Sequence, residues 1–109
     1  MVNIQLIGFE KSEIDMFEFN RIINEHINKL RRKLKNIDSI IIHLKEYNRE
    51  GNRQKFSFHI RVNGSFKPFE ASSDDWDFNR ALHKIFIKLE NEVESSFKVS
   101  DQHKKRSSS

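Results

Sequence analysis

Residues 55–62 read Lys-Phe-Ser-Phe-His-Ile-Arg-Val, and this octet decides the fold. Phe56, Phe58, Ile60 and Val62 fall on one side of an extended chain, and Lys55, Ser57, His59 and Arg61 on the other. Such strict alternation is the mark of a strand with one buried face. Just upstream, residues 37–45 (Ile-Asp-Ser-Ile-Ile-Ile-His-Leu-Lys) are rich in β-branched side chains and read as a second strand. Residues 47–54, with Asn48, Gly51 and Asn52, read as the hairpin loop between them. A hairpin centred on Gly51 sets Leu44 opposite Phe58, Ile42 opposite Ile60 and Ile40 opposite Val62. All three pairs are apolar, so the register is self-consistent.

Working outward, residues 2–7 alternate up to Gly8 and predict another strand. Ser12 is placed to cap a helix over about 13–35, with Glu13 and Asp15 in its first turn. Its apolar stripe is Met16, Phe19, Ile23, Ile27, Leu30 and Leu34, at helical steps of three and four. Beyond the octet, Asn63-Gly64 predicts a tight turn. A short strand around 66–71 follows, and Pro68 assigns it to a sheet edge because proline cannot donate to a ladder. Residues 72–75 open a second helix whose stripe is Phe78, Leu82, Ile85, Leu89 and Val93, with Phe97 near its end. Residues 99–109 are polar and predict a disordered tail after a domain spanning 1–98.

The order is β-α-β-β-β-α, an α+β fold. The crossover helix makes the first two strands parallel neighbours, and the hairpins make the rest antiparallel. A four-stranded mixed sheet then carries two helices on one face and leaves the other face to solvent.

Composition narrows the function. The 109 residues contain no Cys, which removes disulfides, thiolate metal sites and Cys nucleophiles. Three glycines leave little room for a phosphate-binding loop, and no nucleophile elbow is present. No catalytic residue and no cofactor is expected, and the chain does not read as an enzyme. No apolar run approaches a membrane span and no signal peptide is visible, which predicts a soluble cytoplasmic protein. The formal charge is +4. Its distribution says more than its sum, because residues 21–35 hold six cations against one carboxylate, Glu25.

Two lines of cations are the candidate binding residues. The first helix carries Lys29, Arg31, Arg32 and Lys33 near its end. The second carries Arg80, Lys84 and Lys88 at four-residue steps. On two helices lying on one side of the sheet they form a single basic surface suited to an RNA backbone, or else two solvated helix faces. Base stacking on the open sheet face is not expected, since Phe56 and Phe58 point into the core. His43 and His59 fall opposite each other on that face, but a third metal ligand is missing and no metal site is expected. His26 and His83 read as ordinary helix residues. Asp74, Asp75 and Asp77 read as helix-start carboxylates favoured by the dipole. Ile87 falls outside the core stripe as a lone surface residue.

The element order and several local patterns together resemble the ribosome hibernation-promoting factor and ribosome-associated inhibitor family. They are Asn3–Gly8, Ile27–Arg32, Ile40–Leu44, Phe58–Gly64, Phe69–Ala71, Asp77–Leu82 and Lys88–Glu90. The resemblance covers residues 2–98 and implies a fold like that of double-stranded-RNA-binding domains. It implies a partner in the small ribosomal subunit, bound in the cleft of messenger and transfer RNA. It further implies translation inhibition and preservation of idle ribosomes under stress. By matching position, Lys29, Arg32, Lys33 and Lys88 would contact ribosomal RNA, with Arg80 and Lys84 extending that surface. Longer members carry a dimerisation domain that this chain lacks, so a monomer off the ribosome is expected. The sequence departs from the family at Asn79, where a Tyr is usual, and at His83, where an acidic residue is usual. Glu90, Glu92 and Glu94 stand where the family is basic. Two other readings remain open: a general structured-RNA-binding module, and a protein-interaction domain motivated by Ile87 and the acidic helix end.

Overall fold

The computed structural model describes residues 3–9, 15–48 and 54–108. Its elements are β1 (Asn3–Ile7), α1 (Met16–Lys33), β2 (Ile37–Asn48), β3 (Gln54–Gly64), β4 (Phe69–Asp75) and α2 (Phe78–Ser108). The sheet order is β1-β2-β3-β4. β1 pairs parallel with β2, and the other two pairings are antiparallel. This is the expected β-α-β-β-β-α fold with a mixed four-stranded sheet.

The β2–β3 ladder has the register expected from its apolar alternation. Leu44 faces Phe58, Ile42 faces Ile60 and Ile40 faces Val62, and all six are buried. The tip of this hairpin, 49–53, lies outside the described residues. Above these side chains α1 lays Phe19, Ile22, Ile23, Ile27 and Leu30, and α2 lays Ala81, Leu82, Ile85, Phe86, Leu89 and Val93. Phe78 closes one end, with its ring 6.0 Å from Phe19, 5.5 Å from Phe56 and 5.3 Å from Phe58. Two stripe residues differ from expectation: Met16 and Phe97 are exposed. Each sits near the end of a stripe, where the sheet beneath runs out.

Four boundaries also differ. The proposed cap Ser12 lies outside the described residues, and α1 is capped instead by Asp15, whose carboxylate accepts from the Phe17 and Glu18 amides. The Asn63-Gly64 pair does not turn. β3 continues through Gly64, which pairs with Ile37, and residues 65–68 make the connection. Gly64 answers a close approach rather than a turn, because a Cβ there would stand 2.4 Å from the Asn36 carbonyl oxygen. Residues 72–75 do not open α2. They complete β4, and α2 begins two residues after the strand, at Phe78. Pairing of Ser73 with Phe58 and of Asp75 with Phe56 holds this polar stretch extended, so tertiary pairing overrides its helix-capping composition. At its other end α2 is helical to Ser108, across the segment that reads as a polar tail. No Gly or Pro follows Pro68 to stop it.

Two stability predictions follow from this packing. Ile60→Ala, at a fully buried position of the central ladder, should cost about 2–5 kcal/mol in urea unfolding. Gly64→Ala should also lower the urea midpoint, although alanine normally favours an extended chain over glycine, because of the Asn36 clash.

Candidate nucleic-acid interface

Neither helix presents its charge as the sequence alone implies. On α1 the first two exposed turns are self-neutralised. Arg21 pairs with Glu18 at 2.5 Å and with Glu25 at 2.9 Å. The Arg21 hydrogen bond holds the Glu18 carboxyl below its ordinary value. Positive charge is left to the last turns, where cations also complement the helix dipole. There Lys33 is engaged across to α2, in an ion pair with Glu94. Lys29, Arg31 and Arg32 are exposed, and they form no ion pair among the described residues. At about 100° per residue, Arg32 points away from the core with Lys29 and Arg31 on its two flanks.

The α2 line is held by one carboxylate. Asp75 ends β4 on the face covered by the helices, opposite Phe56, and is 8% exposed. Arg80 grips it with two hydrogen bonds, Nε to Oδ2 at 2.9 Å and Nη2 to Oδ1 at 2.7 Å. Lys84 Nζ lies 2.7 Å from Oδ2. These donors, Arg80 first and Lys84 second, hold the Asp75 carboxyl far below the usual carboxylate range. Lys88 Nζ donates to the Ser72 carbonyl at 2.9 Å. Of the three aspartates read as helix-start residues, only Asp77 has that role: its carboxylate accepts from the Asn79 amide and its carbonyl from the Ala81 amide. Asp75 is a clamp between β4 and α2, which no local pattern signals.

The helices run parallel and meet across a polar seam. Phe19 stands level with Phe78, His26 level with His83 and Glu90, and Lys33 level with Glu94. By this matching, Arg32 stands level with about residue 92 of α2. Arg80 is some 12 residues earlier, about 18 Å along the axis. Arg80 and Lys84 are therefore offset along the axis from the α1 cations, whereas Lys88 stands about level with Lys29. Arg80 and Lys84 sit at the start of α2 beside Asp75, and Lys29, Arg31 and Arg32 at the far end of α1.

The seam also explains the departures at His83, Glu90 and Glu94. His26 is buried, stacked on Phe86 at 4.6 Å with an interplanar angle of 1°. Its Nε2 lies 3.1 Å from His83 Nδ1, and its Nδ1 faces Glu90 Oε1 at 3.7 Å. That second separation is too long for a hydrogen bond. Glu90 and Glu94 thus turn toward α1, one toward an imidazole and one onto a lysine. Lys33 and Glu94 join the two helices, whereas His26 Nδ1 and Glu90 Oε1 are buried without a hydrogen-bond partner and Glu92 stays exposed. Sequence reading treated His26 and His83 as ordinary; the signal available was a polar residue inside an otherwise apolar helical stripe. No cluster of three or more potential metal ligands occurs among the described residues.

The seam should be visible in the pH dependence of stability. Burial pushes the His26 imidazole below the ordinary histidine value; His83 adds to this, Glu90 opposes it and Lys29 adds slightly. The folded state therefore holds fewer protons than the unfolded chain. Stability should be complete above about pH 6.5, the ordinary histidine value, and fall as pH drops below it. Urea midpoints between pH 7.5 and 5.5 should show this decline, and His26→Gln should reduce its slope.

Two of the solved structures that the chain resembles show the likeness. One is the N-terminal domain of Protein Y from Thermus thermophilus, at 18% identity and a TM-score of 0.59, covering 84% of this chain and 94% of that one. The other is a ribosomal subunit interface protein from Coxiella burnetii, at 17% identity and a TM-score of 0.54, covering 90% and 97%. No family model matches the sequence, and no curated protein matches it. At these identities the likeness is one of fold: this chain has the architecture of those two proteins along most of its length.

Proposed function

We propose that this protein is a non-enzymatic, cytoplasmic ribosome-binding factor. It associates with the small subunit, occupies the decoding cleft, and blocks translation while preserving idle ribosomes under stress. The observation that carries this reading is the near full-length likeness in fold to a protein described as a ribosomal subunit interface protein. The charge arrangement supports it. Lys29, Arg31 and Arg32 project from the end of α1 with no internal carboxylate to answer them, which is what an RNA backbone requires of its partner. Arg80 and Lys84 are already engaged by Asp75, Lys33 by Glu94, and Lys88 by a backbone carbonyl. In this reading they stiffen the platform and make secondary contacts. The protein-interaction alternative is weakened at Glu90 and Glu94, which face α1, but keeps the exposed Glu92 and Ile87.

The test is co-sedimentation with purified small subunits on sucrose gradients, beside translation in a cell-free system. Arg32→Glu should weaken subunit binding by about tenfold or more, and Arg80→Glu by clearly less. With about three phosphates engaged by α1, log affinity should fall with log salt at a slope of about −2 to −3. Absence of the protein from the small-subunit fractions at low salt would overturn the reading. Displacement by an equal mass of free duplex RNA would point instead to a general RNA-binding module.

A further inference from the structure

The helices use one face of the sheet, and the other carries rows of side chains set by strand register. At the hairpin end Tyr47 of β2 stands opposite Lys55 of β3. The Lys55 ammonium lies 5.8 Å from the centroid of the Trp76 ring, and Trp76 directly follows Asp75, the last residue of β4. An aromatic ring, a cation and a second aromatic ring thus line up across three strands. With strands about 4.8 Å apart, the backbones that carry the two rings are roughly 10 Å from each other. Tyr47 is 45% exposed and Trp76 39%, and both are large rings that a folded chain would ordinarily bury. The next row sets Lys45 beside Ser57 and Asp74. Asp74 lies 3.6 Å from Lys55, and Lys45 makes no ion pair among the described residues.

Unpaired bases present flat π-faces that stack on exposed aromatic rings, and their phosphates need cations one step away. A duplex hides those base faces and cannot use such a row. Lys55 is already answered by Asp74, but the unpaired Lys45 behind it favours a polyanion over an apolar protein partner. We infer that the open sheet face holds a short single-stranded RNA segment, with bases stacked on Tyr47 and Trp76, phosphates met by Lys45, and Lys55 steadying the Trp76 ring from its place beside Asp74. The expectation that this face lacks stacking groups holds for Phe56 and Phe58, whose side chains lie on the helix-covered side. It fails for Tyr47 and Trp76, which lie near the hairpin end of the sheet and only come together when β2, β3 and β4 pair.

Trp76 is the only tryptophan in the chain, so its fluorescence reports directly on occupancy. The full chain would be titrated with a ten-nucleotide oligouridylate and with an RNA duplex of equal length. Saturable quenching by the single strand, and much weaker quenching by the duplex, is the expected result. Tyr47→Ala and Lys45→Ala should each weaken single-strand binding by about tenfold, with circular dichroism confirming that both variants are folded. Anisotropy of a labelled oligonucleotide should show the same loss for Trp76→Ala and retention of binding for Trp76→Phe. Tyr47→Ala should leave co-sedimentation with small subunits within about twofold, which separates this site from the subunit-binding surface. Lack of saturable quenching, equal binding of the duplex, or an unchanged affinity in Tyr47→Ala would each overturn the inference.

Discussion

The pairing of β2 with β3 is the constraint on which the rest of the molecule depends. Ile40, Ile42 and Leu44 on one strand meet Val62, Ile60 and Phe58 on the other, and all six point to the same side. Because side chains alternate, a slip of one residue would send one strand's apolar set into water. The register is therefore held by burial. β1 adds to one side of this ladder and β4 to the other, and both helices lay their stripes on the apolar face it creates. The opposite face is left for polar and aromatic side chains in fixed rows.

The same scaffold decides which charges remain available outside. A protein with 20 cations and 16 carboxylates has many possible pairings, and the fold selects a few. Asp75 is carried by β4 to the start of α2, where it faces Arg80 and Lys84 together. Glu94 is carried to Lys33, and Glu90 to His26. Each pair joins two elements that the hydrophobic core already brings close. The more exposed pair, Lys33–Glu94, adds little to stability on its own. The larger effect of such pairing is on function, since a cation already answered by a carboxylate is a poorer partner for phosphate. The charge left at the end of α1 is the remainder of this internal pairing.

Much of the architecture was legible from period alone. The alternation of residues 55–62 and the three-and-four spacing of both helical stripes are local properties, and local sterics enforce them. Errors fell at boundaries, where local and non-local preferences compete. Ser72, Ser73, Asp74 and Asp75 have the composition of a helix start, yet pairing with β3 draws them into a strand. Asn63-Gly64 has the composition of a hairpin turn, yet the glycine is there to admit the Asn36 carbonyl. In the candidate interface, all seven proposed cations lie on the helices as expected, but their partners were invisible. Lys33 and Glu94 are 61 residues apart, and no pattern in the chain connects them.

The amino-acid sequence by itself determined the element order, the β2–β3 register, the two apolar stripes and the absence of thiol chemistry. These follow from periodicity and composition, which act within a few residues. Only the tertiary structure decided which cations are engaged, which acidic residues face inward, and which aromatic rings share a row. Those outcomes depend on through-space distance between elements far apart in the chain. Charge and stacking act over a few ångströms, whatever the separation in sequence.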